Sequence, residues 1–136
     1  MKTIKITIFI GGLSGGGAER VVCNLANYLA GKYYNVTILT MADDEPVQQL
    51  HQNVLYLPLI KKSERKGKLH DFFLRYLRLK NHLKKTESDI YIVMLPITTL
   101  LLLHFRELIH APIIYSERVD PKAYSPFIKF FLKKYI

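Results

Sequence analysis

Ile8-Phe9-Ile10-Gly11-Gly12-Leu13-Ser14-Gly15-Gly16-Gly17-Ala18-Glu19-Arg20-Val21-Val22 runs from an apolar, β-branched segment through glycines straight into a helical pattern. A strand that turns in this way into a helix is the opening unit of an α/β domain. Five glycines in seven positions remove Cβ atoms, so backbone N–H groups can come close to a ligand and positive φ costs little. The helix that follows contributes unpaired N–H groups and the positive end of its dipole. The residues expected to line such a site are Gly12, Ser14, Gly15, Gly16 and Gly17, with Glu19 and Arg20 on the first helical turn. The competing reading is a tight turn that only packs the helix on the sheet.

Spacing separates this turn from two familiar phosphate loops. A Walker A loop ends in Gly-Lys-Ser/Thr, whereas Gly16 is followed by Gly17 and Ala18, so neither the phosphate-gripping lysine nor the magnesium hydroxyl is present. Counted from Gly15, the dinucleotide fingerprint G-x-G-x-x-G gives Gly15, Gly17 and then Arg20, a long cation where close packing needs a glycine. Gly12-Leu13-Ser14-Gly15-Gly16 does have the G-x-S-x-G spacing of the hydrolase nucleophile elbow, although serine nucleophile chemistry is not expected here.

Outward from the turn, short β-branched runs recur at Ile4 to Ile10, Val36 to Met41, Val54 to Leu57, Ile90 to Leu95 and Pro112 to Tyr115. Helical patterns lie between them at Gly17 to Lys32, Lys68 to Lys85 and Thr98 to Leu108, and a fourth begins at Pro126 and runs to Tyr135. Alternating strands and helices imply right-handed crossovers and a doubly wound, mostly parallel Rossmann-like α/β sheet. The 136 residues are expected to form a single domain, and the apolar final helix, in need of a cover, suggests a domain incomplete at its C-terminus.

Cys23 falls inside the first helical pattern, where a buried small hydrophobe is expected, and a single cysteine fits a reducing compartment. The apolar start is short and runs into glycines rather than a cleavage site, which points to a cytoplasmic chain. The run from Ile90 to Phe105 is broken by Pro96, Thr98, Thr99 and His104 and reads as a strand followed by a helix. His51, His70, His82, His104 and His110 show no ligand spacing, so no metal is expected.

A formal charge of +9 favours anionic partners. Half of the cations fall between residues 61 and 85, and Lys61, Lys62, Arg65, Lys66, Lys68, Arg75 and Arg78 are the candidates to face an anionic membrane. Leu69, Phe72, Phe73, Tyr76, Leu77 and Leu83 recur at helical spacing and are expected to pack on the sheet, with the lysines in solvent. Nucleic acid is set aside because those aromatics lie on the expected core stripe and no binding motif is present.

Gly11 to Val21, read as Gly-Gly-Leu-Ser-Gly-Gly-Gly-Ala-Glu-Arg-Val, closely resembles the first βα turn of glycosyltransferase family 4. Ile113-Ile114-Tyr115-Ser116-Glu117-Arg118-Val119-Asp120-Pro121 is also similar to that family, in which Ser-Glu-Arg-Asn-Asp-Pro often follows this strand, although Val119 replaces the asparagine. The resemblance implies the N-terminal, acceptor-side half of a two-domain, retaining GT-B enzyme. The glycine turn would then line the interdomain cleft close to the donor diphosphate and the acceptor. Glu117 or Arg118 would lie near the reacting sugar, the alternative being a surface ion-pair and turn cluster ahead of Pro121.

In such enzymes the C-terminal domain holds the nucleotide with a pair of glutamates separated by seven residues. Glu107 and Glu117 have neither the spacing nor the context to replace them. The expected partners are therefore a nucleotide-sugar donor, a glycan or lipid-linked acceptor and a donor domain on the same or a separate chain, with no cofactor. Little or no transfer is expected from this chain alone. The resemblance further implies a role in surface polysaccharide synthesis, peripheral on the inner face of the cell membrane. A non-catalytic, membrane-associated or partner-binding subunit and an inactive fragment are the alternatives.

Overall fold

The computed structural model of the protein describes residues 3–117 and 120–135. They form strands β1 (Lys5–Ile10), β2 (Asn35–Thr40), β3 (Val54–Pro58), β4 (Ile90–Met94) and β5 (Ile113–Ser116), and helices α1 (Gly17–Gly31), α2 (Lys68–Lys85), α3 (Pro96–His104) and α4 (Pro126–Tyr135). The strands make one parallel sheet in the order β3-β2-β1-β4-β5. β1 is central, with Ile6 in register with Val36 on one side and Ile90 on the other. This is the Rossmann-like α/β arrangement that the strand and helix alternation predicts.

Strand periodicity sorts the core into two layers. Ile6, Ile8 and Ile10 of β1, Val36 and Ile38 of β2 and Met94 of β4 face α1, where they meet Val22, Cys23 and Ala26. Phe9, Leu39, Tyr91 and Val93 face the opposite way, against Leu79 and Leu83 of α2 and Leu102 of α3. Cys23 is fully buried, and burial raises its thiol pKa, so it is a packed hydrophobe with little nucleophilic character. Among the described residues no helix is long and apolar enough to cross a membrane.

Two expectations need correction. The third helix starts at Pro96 rather than Thr98 and ends at His104, with Arg106–Leu108 forming a separate 3-10 turn. Pro96 supplies the fixed φ and missing N–H that suit a first helical position. The apolar stripe of α2 does not pack as a whole: Leu79 and Leu83 are buried, but Leu69 is 88% exposed, Phe72 54% and Phe73 62%. Length explains it, because 18 residues of helix span about 27 Å whereas five-residue strands span roughly 17 Å. The first turns of α2 therefore overhang the sheet at the ends where the strands finish.

Candidate functional site

The order of the sheet reverses at β1, since the chain leaves β1 for β2 on one side and returns to β4 on the other. A crevice opens at such a switch point, outside the carboxyl ends of the strands, and α/β sheets bind ligands there. The glycine turn leaves the end of β1 at that point. Its neighbour across the crevice is the turn from β4 into α3.

Within the glycine turn the backbone is held by its surroundings. Leu13 is fully buried, and its carbonyl accepts the Val47 N–H at 2.9 Å. The Ala42 N–H donates to the Gly11 carbonyl at 3.1 Å, so the segment after β2 is laid against the turn. Gly15 has φ +129°, a conformation that side-chain-bearing residues rarely adopt. Gly16 caps α1 in extended conformation without a side-chain cap, and the Arg20 N–H closes the first turn on its carbonyl at 3.2 Å.

Two carboxylates border the turn. A Cβ on Gly12 would run into Oδ2 of Asp44, and one on Gly16 into the carboxylate of Glu19, whereas nothing stands within 4 Å of such an atom at Gly11, Gly15 or Gly17. Glu19 thus lies at the positive end of α1, where its charge is stabilised and where an incoming anion would compete with it. Asp44 belongs to a loop pinned by Tyr56, whose hydroxyl donates to the carbonyls of Asp44 (2.9 Å) and Ala42 (3.3 Å) and accepts the Asp44 N–H at 3.1 Å. The Thr40 hydroxyl donates to the same Ala42 carbonyl at 2.7 Å. Thr40, Asp44 and Tyr56 escape a sequence reading because their meeting depends on how β2, β3 and the loop between them come together.

Across the crevice, Leu95 has φ 75° and ψ 150°, a region that is almost entirely glycine territory. Its carbonyl is held by the hydroxyls of Thr98 and Thr99, at 2.9 and 2.8 Å, and Thr98 also donates to Met94. The polar first turn of α3 therefore holds the peptide in place. No local motif announces this, because Leu95 reads as the last residue of an apolar strand.

Glu117 follows directly on β5 at the same edge, two strand spacings or about 10 Å from the line of β1. One of its oxygens, Oε1, is buried, as is the hydroxyl of Tyr115. Desolvation, reinforced by the charge of Glu117 and a hydrogen bond to its carboxylate, pushes the Tyr115 phenol up to about 12. Arg118 lies outside the described residues. Among those described, no three His, Cys, Asp or Glu side chains come together as a metal site would need.

The basic segment meets this edge as well. The Lys62 N–H donates to Asp43 Oδ2 at 3.3 Å, and the buried Asp71 carboxylate accepts the N–H of Lys66 at 3.0 Å and of Gly67 at 3.4 Å. The first of these bonds ties the segment ahead of α2 to the loop after β2, and the other two cap the first turn of α2. Lys61, Lys62, Arg65, Lys66 and Lys68 are exposed. Arg78 instead turns inward, donating to both oxygens of Glu64 at 2.7 and 2.6 Å and to the Leu59 carbonyl at 2.9 Å. Hydrogen bonding from Arg78 is the main reason the Glu64 carboxyl is held down at about 2. Arg75 is half-buried, with Nε unpartnered.

A model of Glycosyltransferase Family 4 matches residues 15–135. The chain belongs to glycosyltransferase family 4. The match takes in the glycine turn from Gly15 onward and the segment after β5. The family 4 chain is also 29% identical over 133 residues to a Campylobacter jejuni protein named GalNAc-alpha-(1->4)-GalNAc-alpha-(1->3)-diNAcBac-PP-undecaprenol alpha-1,4-N-acetyl-D-galactosaminyltransferase. That alignment takes in 96% of this chain and 37% of the relative's length.

Proposed function

We propose that this chain supplies the acceptor-side wall of a sugar-transfer site, at which a nucleotide sugar donates a glycosyl group to a lipid-linked or polysaccharide acceptor once a donor-binding domain closes the cleft. The observation that carries this reading is the switch-point crevice of a family 4 chain, with the glycine turn on one side and Glu117 at the same edge. Gly15 and Gly17 leave backbone open to the crevice, and Arg20 adds a cation on the first helical turn. A donor diphosphate would be stabilised there provided the Glu19 carboxylate swings aside. Glu117, and with it Arg118, would stand near the reacting sugar.

A lipid-linked acceptor is supported by the overhang of α2 and by the undecaprenol in the name of the relative. Exposed Leu69, Phe72, Phe73 and Leu77 stand beside Lys61, Lys62, Arg65, Lys66 and Lys68, the pairing of apolar and cationic groups that holds a helix on anionic lipid. Arg78, committed to Glu64, adds little to such contact. The exposure of Phe72 and Phe73 also removes the reason for setting nucleic acid aside on core packing, so an oligonucleotide belongs in the test as a competitor.

The test is flotation of the purified chain with anionic vesicles that carry an undecaprenyl-pyrophosphoryl sugar, together with a transfer assay using radiolabelled nucleotide sugars. Vesicle binding that oligonucleotide does not displace, and that a double F72D/F73D variant loses, supports the reading, as does absence of transfer by the chain alone. Sugar transfer by the chain alone would overturn the need for a donor domain. Failure to bind the vesicles would overturn the membrane assignment.

A further inference from the structure

The helices α2, α3 and α4 begin alike. The second residue of each is a large apolar side chain in solvent: Leu69, Ile97 (61% exposed) and Phe127 (68%). The fifth residue of α2 and of α4 is again an exposed phenylalanine, Phe72 and Phe130. Among the described residues, six of the twelve large exposed hydrophobics fall in the first two turns of these three helices, a concentration that single scattered surface residues do not produce. Helix α1, on the other face of the sheet, begins Gly17-Ala18-Glu19-Arg20 and shows none there.

Packing sets the three starts side by side. Leu79 of α2 and Leu102 of α3 share one core layer, and the Tyr76 hydroxyl meets His104 Nε2 at 3.0 Å. Tyr76 lies eight residues into α2 and His104 eight residues into α3, so both helices reach about 12 Å beyond that contact toward the carboxyl ends of the strands. Leu69 and Ile97 therefore stand at one level. Helix α4 is entered from β5 at the same edge and packs against α3. Three neighbouring helices at the usual spacing of about 8–10 Å make a rim roughly 20 Å long.

Charge decides what the rim faces. Exposed Arg65, Lys66 and Lys68 flank it at α2, exposed Lys122, Lys129 and Lys133 flank it at α4, and residues 121–136 hold four lysines and no acid. The acids nearest in sequence are bonded within the chain: Glu64 to Arg78, Asp71 to the N–H groups of Lys66 and Gly67, and Asp120 to that of Lys122. An apolar row between two cationic flanks complements an anionic bilayer, whose acyl boundary takes the apolar side chains and whose headgroups take the cations.

We propose that the starts of α2, α3 and α4 form one lipid-facing rim, on which the chain stands on an anionic bilayer with the carboxyl ends of its strands, and with them the crevice, turned toward the headgroups. The proposal rests on the membrane contact assigned above to α2 and deepens it from contact through one helix to a defined orientation.

The chain has no tryptophan, so a single introduced one reports its own contacts. L69W, I97W, F130W and Y33W, the last at the amino edge of the sheet, are mixed with phosphatidylglycerol-rich vesicles whose brominated acyl chains quench indole on contact. Each replaces an exposed side chain, which leaves the core untouched. The expected result is at least twofold quenching of L69W, I97W and F130W, with Y33W unchanged. I97D and F130D should each weaken vesicle binding about tenfold. Quenching of L69W with either I97W or F130W left bright would overturn the rim and leave the α2 contact standing, whereas quenching of none would overturn both. Equal quenching of Y33W would overturn the orientation. A blue shift of F130W that grows with protein concentration without vesicles would show a second copy covering the row and overturn the lipid assignment.

Discussion

Replacing Gly15 and Gly17 in turn by alanine separates backbone conformation from space at the glycine turn. Neither new Cβ would meet an atom within 4 Å, so steric clash is absent from both variants. Gly15 has φ +129°, and forcing alanine into that region costs about 1–3 kcal/mol, partly offset by about 0.4–1 kcal/mol from the stiffer unfolded chain. Gly17 opens α1 with ordinary helical geometry, so G17A gains the helix propensity of alanine and stabilises by about 0.5–1 kcal/mol. The two variants should differ by about 2 kcal/mol, or roughly 6–10 °C in Tm for a domain of this size. Urea denaturation and thermal melting followed by circular dichroism read the difference. Equal stability of G15A and G17A, or a destabilised G17A, would refute the assignment of Gly15 as the residue that needs glycine for its backbone.

Three further outcomes are expected. G12A drives its Cβ into the Asp44 carboxylate and should lose about 1–3 kcal/mol, with D44S restoring part of it; additive effects in a double-mutant cycle would dispose of the contact. L79A should cost about 2–5 kcal/mol and L69A less than about 0.5 kcal/mol by urea denaturation, because only the second half of α2 meets the sheet; equal losses would contradict the overhang. The Glu64 carboxyl is lower in the folded chain, at about 2, than its ordinary 4.5, so its contribution is fully present above pH 4.5 and fades as pH falls from there toward 2. E64Q should therefore be less stable than wild type near neutrality, with the gap closing on acidification through that window, and a pH-independent gap would refute the Arg78 pairing.

Much of the architecture was legible because strand and helix periods differ and each β-branched run is short. Gly11 to Gly17 marked the crevice, since a strand feeding a helix through glycines has few other meanings. The misreadings have physical causes. Leu69, Phe72 and Phe73 share a period with Leu79 and Leu83, and periodicity reports a face without reporting how far the sheet extends beneath it. The start of α3 was missed because Leu95 takes a backbone conformation suited to glycine, sustained by two threonine hydroxyls. Asp44 at Gly12 depends on a loop folded back from β2 and held by Tyr56 from β3, a meeting with no local signature.

Ligand position tests the central claim most directly. Backbone amide shifts of the labelled chain would be mapped on nanodiscs with and without an undecaprenyl-pyrophosphoryl sugar. Changes concentrated at Gly15, Gly16, Gly17 and Glu117 are predicted. The opposite end of the sheet carries a groove of about 560 Å³ lined by Lys5, Asp89, Tyr91, Glu107 and His110. Changes centred there, with the glycine turn unmoved, would contradict the account.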